Sequence, residues 1–162
     1  MVAASNSPDE GPFNLQTLVD ALSLRQFGKP VLKADEGADD SDKSFTVPSN
    51  TLWEVRSIWV ELVTTATAGN RQMSIEFQDD SADIIAQVRA GDIQSASKTR
   101  NYLFAPGVAD LGSFRGSNLI TTPIPNIILP ESYVVRVVDT AAVDAAADDM
   151  VVQMMVAERV EV

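Results

Sequence analysis

The chain contains no histidine and no cysteine among its 162 residues. The absence of histidine excludes catalytic triads built on an imidazole and the usual zinc sites. The absence of cysteine excludes disulfide bonds and thiolate chemistry. Aspartate, glutamate and lysine remain for acid–base work, but the acidic residues fall mostly in predicted turns. We therefore expect no catalytic residue, no metal and no cofactor, and a protein that acts by binding or as structural support.

Basic residues are also scarce. Twelve Lys and Arg stand against 23 Asp and Glu, so the formal net charge is −11. Nucleic acids and anionic membranes attract clusters of basic side chains, so this balance disfavours both as partners. No apolar run reaches the ~18 residues of a membrane-spanning helix. Residues 1–11 lack the basic and apolar regions of a secretory signal. We expect a protein that is used inside a cell or released by lysis.

The chain from Ser44 onwards consists of short segments in which apolar and polar residues alternate, separated by Gly, Pro, Asn and Asp. Turn signals recur about every ten residues, a spacing typical of β-sandwiches and jelly rolls. We predict an all-β fold over residues 44–162, an antiparallel β-sandwich or jelly roll of about eight strands.

Two segments carry more specific signals. Arg71–Gln78 alternates cleanly after a Gly69-Asn70 turn, which predicts a hairpin with the long strand candidate Leu52–Thr67. Pro123 and Pro125 have no backbone N–H to donate, so residues 118–129 are predicted to be an edge strand or an extended connector.

The longest strand candidate changes its apolar face partway along. Trp53, Val55 and Trp59 share one parity, whereas Ile58, Val60 and Leu62 share the other. Such a change indicates either a β-bulge or a strand that is buried on both sides. Trp53 and Trp59 are candidates for contact with another subunit, although two tryptophans in one strand more often belong to a core.

Residues 1–43 are predicted to form an arm ahead of the sandwich. Within Asn14–Phe27, Leu15, Leu18, Val19 and Leu22 recur at the spacing of one helix face. This short helix packs either on its own domain or on a neighbour. Asp35–Lys43 is predicted to be a solvated acidic loop. The candidate interface residues in the arm are Phe13, Leu15, Leu18 and Leu22.

A second acidic group comprises Asp144, Asp148 and Asp149. A Ca²⁺ ion bound by these carboxylates could rigidify the loop, but this is the less favoured interpretation. Arg71 can pair with a carboxylate, and an interface between subunits is one place for such a pair.

Three stretches of this chain resemble small structural proteins of tailed bacteriophages. They are Trp53–Gln78 (WEVRSIWVELVTTATAGNRQMSIEFQ), Tyr102–Pro106 (YLFAP) and Leu129–Met150 (LPESYVVRVVDTAAVDAAADDM). The resemblance implies a virion component, most readily a decoration (cement) protein on the capsid surface, assembled in the host cytoplasm. It also implies the major capsid protein as a partner and self-association, commonly as a trimer. No enzymatic residue comes with it.

Other functions remain open from the sequence. A protein of the head–tail junction or the tail has the same features. A carbohydrate-binding jelly roll for host recognition is a second class, and it requires an exposed aromatic platform. An enzyme on the same fold, such as a glycosidase with paired carboxylates, is the least favoured.

Overall fold

The computed structural model describes residues 28–37, 42–116, 118–141, 143–144 and 146–160. Within them the chain forms ten strands and no helix. The strands are β1 (Lys29–Asp35), β2 (Lys43–Thr46), β3 (Thr51–Val63), β4 (Met73–Gln78), β5 (Ile84–Arg89), β6 (Thr99–Ala105), β7 (Leu119–Pro123), β8 (Ile128–Leu129), β9 (Val134–Asp139) and β10 (Asp149–Val160). The predicted all-β class is confirmed for the described residues, with more strands than the eight or so expected. The predicted helix in Asn14–Phe27 lies outside these residues.

The strands belong to two sheets. The six-stranded sheet has the order β1-β10-β3-β6-β7, and β8 also pairs with β3. The four-stranded sheet has the order β2-β9-β4-β5. Paired strands are antiparallel except β6 and β7, which are parallel. Buried apolar side chains from both sheets form one core cluster, so the arrangement is consistent with a β-sandwich.

A β-bulge in β3 explains the change of apolar parity in the sequence. Met155 of β10 lies opposite Ser57, but the next residue, Val156, lies opposite Val55, which leaves Arg56 without a partner in β10. The extra residue turns the rest of the strand by one position. The side chains on both sides of the bulge therefore enter the same core: Trp53, Val55, Ile58, Val60 and Leu62. Of the two alternatives that the sequence left open, the bulge is confirmed.

The predicted hairpin between residues 52–67 and Arg71–Gln78 is wrong. β3 lies in the six-stranded sheet and β4 in the four-stranded sheet, so the connection between them crosses from one sheet to the other. Gly69 lies in this crossing with φ +148°, and a Cβ there would lie 2.7 Å from a methyl carbon of Val143. The alternation and the turn signal were real, but they do not specify which strands pair, because cross-strand neighbours come from elsewhere in the chain.

The edges of the six-stranded sheet carry proline. Residues 29–35, which the sequence assigned to the arm, form β1 and pair with β10 from Lys29 opposite Glu158 to Asp35 opposite Val152. Pro30 is compatible with this position because one side of an edge strand needs no ladder hydrogen bonds. β7 (Leu119–Pro123) lies at the opposite edge, so part of residues 118–129 is an edge strand, which is one of the two predicted alternatives, and residues 124–127 are outside any strand.

The bulge gives a test of the fold. Deleting Arg56 makes the alternation of β3 regular, so one half of the strand must turn its apolar side chains outwards. Losing two or three buried side chains costs about 3–9 kcal/mol at ~1.5–3 kcal/mol each. We expect the deletion variant to be unfolded or strongly destabilised in urea titrations followed by circular dichroism. Arg56→Ala is the control, and because this side chain is exposed we expect a change within about 0.5 kcal/mol. A deletion variant as stable as Arg56→Ala contradicts the assigned role of the bulge.

Candidate interaction surface

The six-stranded sheet carries a stripe of apolar side chains on the side that faces away from the core. Leu32 on β1 lies opposite Met155 on β10, and Trp59 on β3 lies opposite Leu103 on β6. Each of them alternates with core residues along its strand, so its side chain points outwards. Leu32 is 54% exposed, Trp59 37% and Met155 36%. We call these four residues the outer stripe.

The outer stripe is continuous across four neighbouring strands. Met155 lies opposite Ser57, two residues before Trp59 on the same strand, so Met155 and Trp59 are diagonal neighbours. Residues in this relation lie on the order of 7–8 Å apart, within reach of long and aromatic side chains. Leu32 and Leu103 extend the stripe to β1 and β6. An apolar band of this kind on a sheet face is typical of a surface that another element covers.

The outward side of the four-stranded sheet differs in character. Glu76 lies at its centre and accepts hydrogen bonds from Gln78 at 3.2 Å, Gln87 at 3.0 Å and Arg136 at 3.0 Å. Its polar groups therefore satisfy one another without a partner molecule. Exposed apolar residues on this sheet include Ile84 and Ile85 on the edge strand β5. The two sheets thus differ in where their exposed apolar residues lie: Ile84 and Ile85 are on the edge strand of the four-stranded sheet, whereas Met155 and Trp59 are on inner strands of the six-stranded sheet.

The two predicted tryptophans occupy different environments. Trp53 is 2% exposed and belongs to the core cluster, so it offers no surface to a partner. Its indole Nε1 donates a hydrogen bond to Glu158 Oε2 at 2.9 Å, and Lys33 Nζ lies 4.8 Å from the ring centroid. Lys33 also forms an ion pair with Glu158 at 2.8 Å. This cluster ties β1 to β10 and β3, while Trp59 lies in the outer stripe.

The predicted interface residues of the arm, Phe13, Leu15, Leu18 and Leu22, lie outside the described residues. Sequence reasoning did not identify three members of the outer stripe: Leu32, Met155 and Leu103. A signal was present for Met155, because the core residues of β10 share even numbers and Met155 does not. An apolar residue at the polar parity of a strand marks an apolar outer face.

A buried ion pair joins the crossing between β3 and β4 to the loop before β10. The Arg71 Nε donates to Asp148 Oδ2 at 2.7 Å and its Nη2 donates to Asp148 Oδ1 at 3.1 Å, and both side chains are 0% exposed. The remaining donors of Arg71 reach the carbonyl oxygens of Thr67 and Gly69 and the Thr65 hydroxyl. A bidentate pair with its other donors satisfied is the geometry that offsets the cost of burying charge.

Two neighbouring acidic residues, Asp144 and Asp139, stabilise the same part of the fold. Asp144 Oδ2 accepts hydrogen bonds from the hydroxyls of Thr65 at 2.7 Å and Thr67 at 2.8 Å, and these two bonds lower the pKa of its carboxyl group. Burial raises the pKa of Asp139, although the backbone N–H groups of Ala141 and Gln72 act in the opposite direction. These carboxylates accept hydrogen bonds that hold the crossing between the sheets and the loop before β10.

The hydrogen bonds of Asp148 bear on whether the acidic group before β10 can bind Ca²⁺. Asp148, one of the possible Ca²⁺ ligands, is engaged by Arg71 and by the backbone N–H of Thr65 at 2.7 Å. Among the described residues, no group of three or more acidic side chains is placed to hold a metal ion. Arg71 was predicted to pair across an interface or at the surface, but it pairs inside this chain with Asp148, and both side chains are fully buried.

The sequence matches no protein-family model, and no curated protein is significantly similar to it. Within the part of the chain that the structure describes, no helix is long and apolar enough to cross a membrane.

The ion pair predicts a large effect of single substitutions. Removing one member of a buried pair leaves an unpaired buried charge and costs about 3–5 kcal/mol. We expect Arg71→Ala and Asp148→Ala each to lower the free energy of unfolding by this amount in urea titrations. The double variant Arg71→Met/Asp148→Leu is expected to lose less free energy of unfolding than the sum of the two single losses, because it leaves no unpaired buried charge. As a control, Arg159→Ala removes a partly exposed pair with Glu54 and is expected to cost at most about 1 kcal/mol. Equal effects at the two sites contradict the role given to the buried pair.

The cluster at Trp53 predicts a pH dependence. Lys33 lowers the pKa of Glu158 by hydrogen bonding, and the Trp53 indole adds to this, so the folded state favours the carboxylate. The resulting stability is present above the unfolded pKa of glutamate, about 4.3, and is lost as the pH falls through the lower folded pKa. We expect Glu158→Gln to be about 1 kcal/mol less stable than the unchanged protein at pH 7. This difference should shrink below about pH 4.3 in thermal unfolding experiments. A difference that does not change with pH contradicts the assignment.

Proposed function

We propose that this protein is a structural component of a tailed-bacteriophage virion, a capsid decoration (cement) protein that binds the major capsid protein and stabilises the head lattice by bridging subunits. The observation that carries the proposal is the outer stripe, a continuous apolar band on a rigid sheet face in a chain that has no histidine or cysteine. Arg71 and Asp148, both fully buried, form an ion pair with each other. What the molecule offers a partner is therefore surface.

The two longer stretches that carry the bacteriophage resemblance contain connections between the two sheets. Trp53–Gln78 spans most of β3, the crossing and β4, and Leu129–Met150 spans β9 and the loop that leads into β10. Arg71 lies in the first stretch and Asp148 in the second, and they form the buried pair. The shared features are thus those that join the two sheets. They support a common architecture, and the virion setting follows from the resemblance by analogy.

We further propose that the two sheets form a jelly roll. Eight of the ten strands divide into the sets β1-β10-β3-β6 and β2-β9-β4-β5, and the chain changes sheets at each of the steps from β1 to β4, again from β5 to β6, and from β9 to β10. Such interleaving is expected for two nested Greek keys. β7 and β8 then belong to the long connection between β6 and β9. Jelly rolls are frequent in viral capsid proteins, although they also occur in lectins and enzymes.

The charge of the chain supports a position on the outside of the head. With a net charge of −11, the protein is repelled by packaged DNA and stays soluble at high local concentration. The partners we propose are the major capsid protein and further copies of this chain, with a trimer as the oligomer, and neither nucleic acid nor membrane. A virion protein of this kind is assembled in the host cytoplasm.

The direct test adds purified full-length protein to DNA-free capsids and locates it by electron microscopy. We expect regularly repeated density on the outer surface of the head and a higher temperature of capsid disruption. Sedimentation of the free protein should give a multiple of the 17.4 kDa chain mass. Density only at the portal or along the tail overturns the decoration role in favour of a head–tail junction or tail protein. Binding to a glycan array without binding to capsids favours the carbohydrate-binding alternative.

The contact to the capsid is expected to include the N-terminal arm. β1 belongs to the sheet, so the truncation that leaves the described fold intact removes Met1–Phe27 and no more. We expect this variant to keep its circular dichroism spectrum and to bind capsids at least tenfold more weakly, a loss of ~1.4 kcal/mol. Pelleting with capsids measures the affinity. Full affinity of the truncated protein contradicts a role of the arm in this contact.

A further inference from the structure

We propose that the edge strand β5 pairs with β5 of a second copy of this chain, antiparallel and about a two-fold axis at Gln87, so that the two four-stranded sheets join into one. The contact adds a two-fold association to the trimer proposed above and leaves the outer stripe free. It concerns the free protein and does not depend on a role in the virion. The second copy is the occupant because this edge is complementary to itself in backbone groups and in charge.

β5 is the edge of the described fold that is best able to accept another strand. Among the described residues it pairs only with β4, at the end of the order β2-β9-β4-β5. The other outermost strands are less suited, since β1 contains Pro30, β7 ends at Pro123 and β2 has four residues. β5 has six residues and no proline. Its free side therefore carries an uninterrupted row of backbone donors and acceptors.

The backbone hydrogen bonds identify which residues of β5 face away from β4. The N–H of Ala90 donates to the carbonyl oxygen of Met73 at 2.9 Å. In an antiparallel ladder, residues alternate between directing both backbone groups to the paired strand and directing both away from it. Counting back from Ala90, Val88 faces β4, whereas Arg89 and Gln87 direct their N–H and C=O groups to the free side. Two copies of Gln87 can therefore face each other and exchange a pair of hydrogen bonds.

This register also brings opposite charges together. With Gln87 opposite Gln87, Arg89 of one copy lies opposite Ile85 of the other, and Asp83 is two residues farther along that strand. Residues in this diagonal relation lie roughly 7–8 Å apart, within reach of a long side chain. The two-fold axis repeats the contact at the other end of the pair. A parallel pair of β5 strands would instead set Arg89 beside Arg89, where like charges repel.

The two charged residues are available for this contact. Arg89 and Asp83 are both exposed, and none of the ion pairs within the described part of the chain includes either of them. The Nη2 of Arg89 donates one hydrogen bond, to Gln87 Oε1 at 3.2 Å. The arginines that do pair with an acid in the described chain are Arg56, Arg71, Arg136 and Arg159.

Apolar surface lies at the same edge. Ile84 is 52% exposed and Ile85 48%. The ladder to β4 shifts its register here and leaves Ile85 as an extra residue, a β-bulge. In the pair, the aliphatic part of Arg89 from the second copy covers Ile85. The bulge confines the pairing to the half of β5 that follows it, so the contact is small. We expect it to form at high local concentration and to be reversible in dilute solution.

A scan with single cysteines tests this register, because the chain has no cysteine of its own. Gln87→Cys and Arg89→Cys are oxidised at the same protein concentration and compared on non-reducing gels. Residues that face each other in a hydrogen-bonded pair have Cα atoms ~5.5 Å apart, within the ~4.4–6.8 Å that a disulfide requires. The two copies of Arg89 are four residues out of register, or roughly 13 Å apart. We expect roughly tenfold more cross-linked dimer from Gln87→Cys.

The controls separate pairing from random collision. Both single cysteines are exposed on the same strand, so collision alone gives equal yields. A mixture of Arg89→Cys and Ile85→Cys proteins should cross-link efficiently, which shows that the loss of Arg89 is not what lowers the yield of the single variant. Circular dichroism checks that each variant is folded. Equal yields from the two single variants, high or low, overturn the inference, and so does a mixture that fails to cross-link. The edge is then free, or another segment or protein covers it.

An exchange of charges provides a second readout without thiols. Arg89→Asp removes both symmetric contacts with Asp83 and adds repulsion, so we expect the two-fold association to weaken roughly tenfold in sedimentation experiments at low salt. The variant Arg89→Asp/Asp83→Arg restores opposite charges and should recover the association. Unchanged association in Arg89→Asp, or no recovery in the exchange variant, overturns the inference. All these measurements use free protein, so their outcome is independent of the capsid experiment.

Discussion

One unpaired residue in β3 determines which side chains reach the core and which reach the surface. β3 is the longest strand and pairs with β10, β6 and β8, so a change in its register affects most of the six-stranded sheet. The bulge at Arg56 turns both Val55 and Ile58 into the core. The same turn sends Trp59 outwards. Without it, the core and the outer stripe cannot both exist, because alternation in a regular strand allows one parity on each face.

The second constraint is the ion pair that joins distant parts of the chain. Arg71 precedes β4 in the four-stranded sheet, and Asp148, 77 positions later in the sequence, precedes β10 in the six-stranded sheet. Because both are fully buried, each requires the other to offset the loss of solvation. The pair therefore specifies how the crossing after β3 and the loop before β10 meet. It joins the two sheets.

These two constraints lead to a molecule with unlike faces. The outward side of the four-stranded sheet is polar, and Glu76 lies at the centre of its hydrogen bonds. The outward side of the six-stranded sheet has an apolar stripe at its centre. A stripe of Leu, Met and Trp on a sheet face costs free energy in water unless another element covers it.

The sequence by itself determined the all-β class, and it limited the strand of Trp53 and Trp59 to a bulge or double burial and the segment with Pro123 to an edge strand or a connector; the structure decided both. These follow from local rules of alternation and proline chemistry. Only the tertiary structure decided that β3 and β4 lie in different sheets, that Trp53 is interior while Trp59 is at the surface, and that Arg71 meets Asp148. The physical reason is that strand pairing and ion pairing are contacts between residues far apart in sequence. A local pattern shows that a side chain needs a partner, but the fold of the whole chain selects which one.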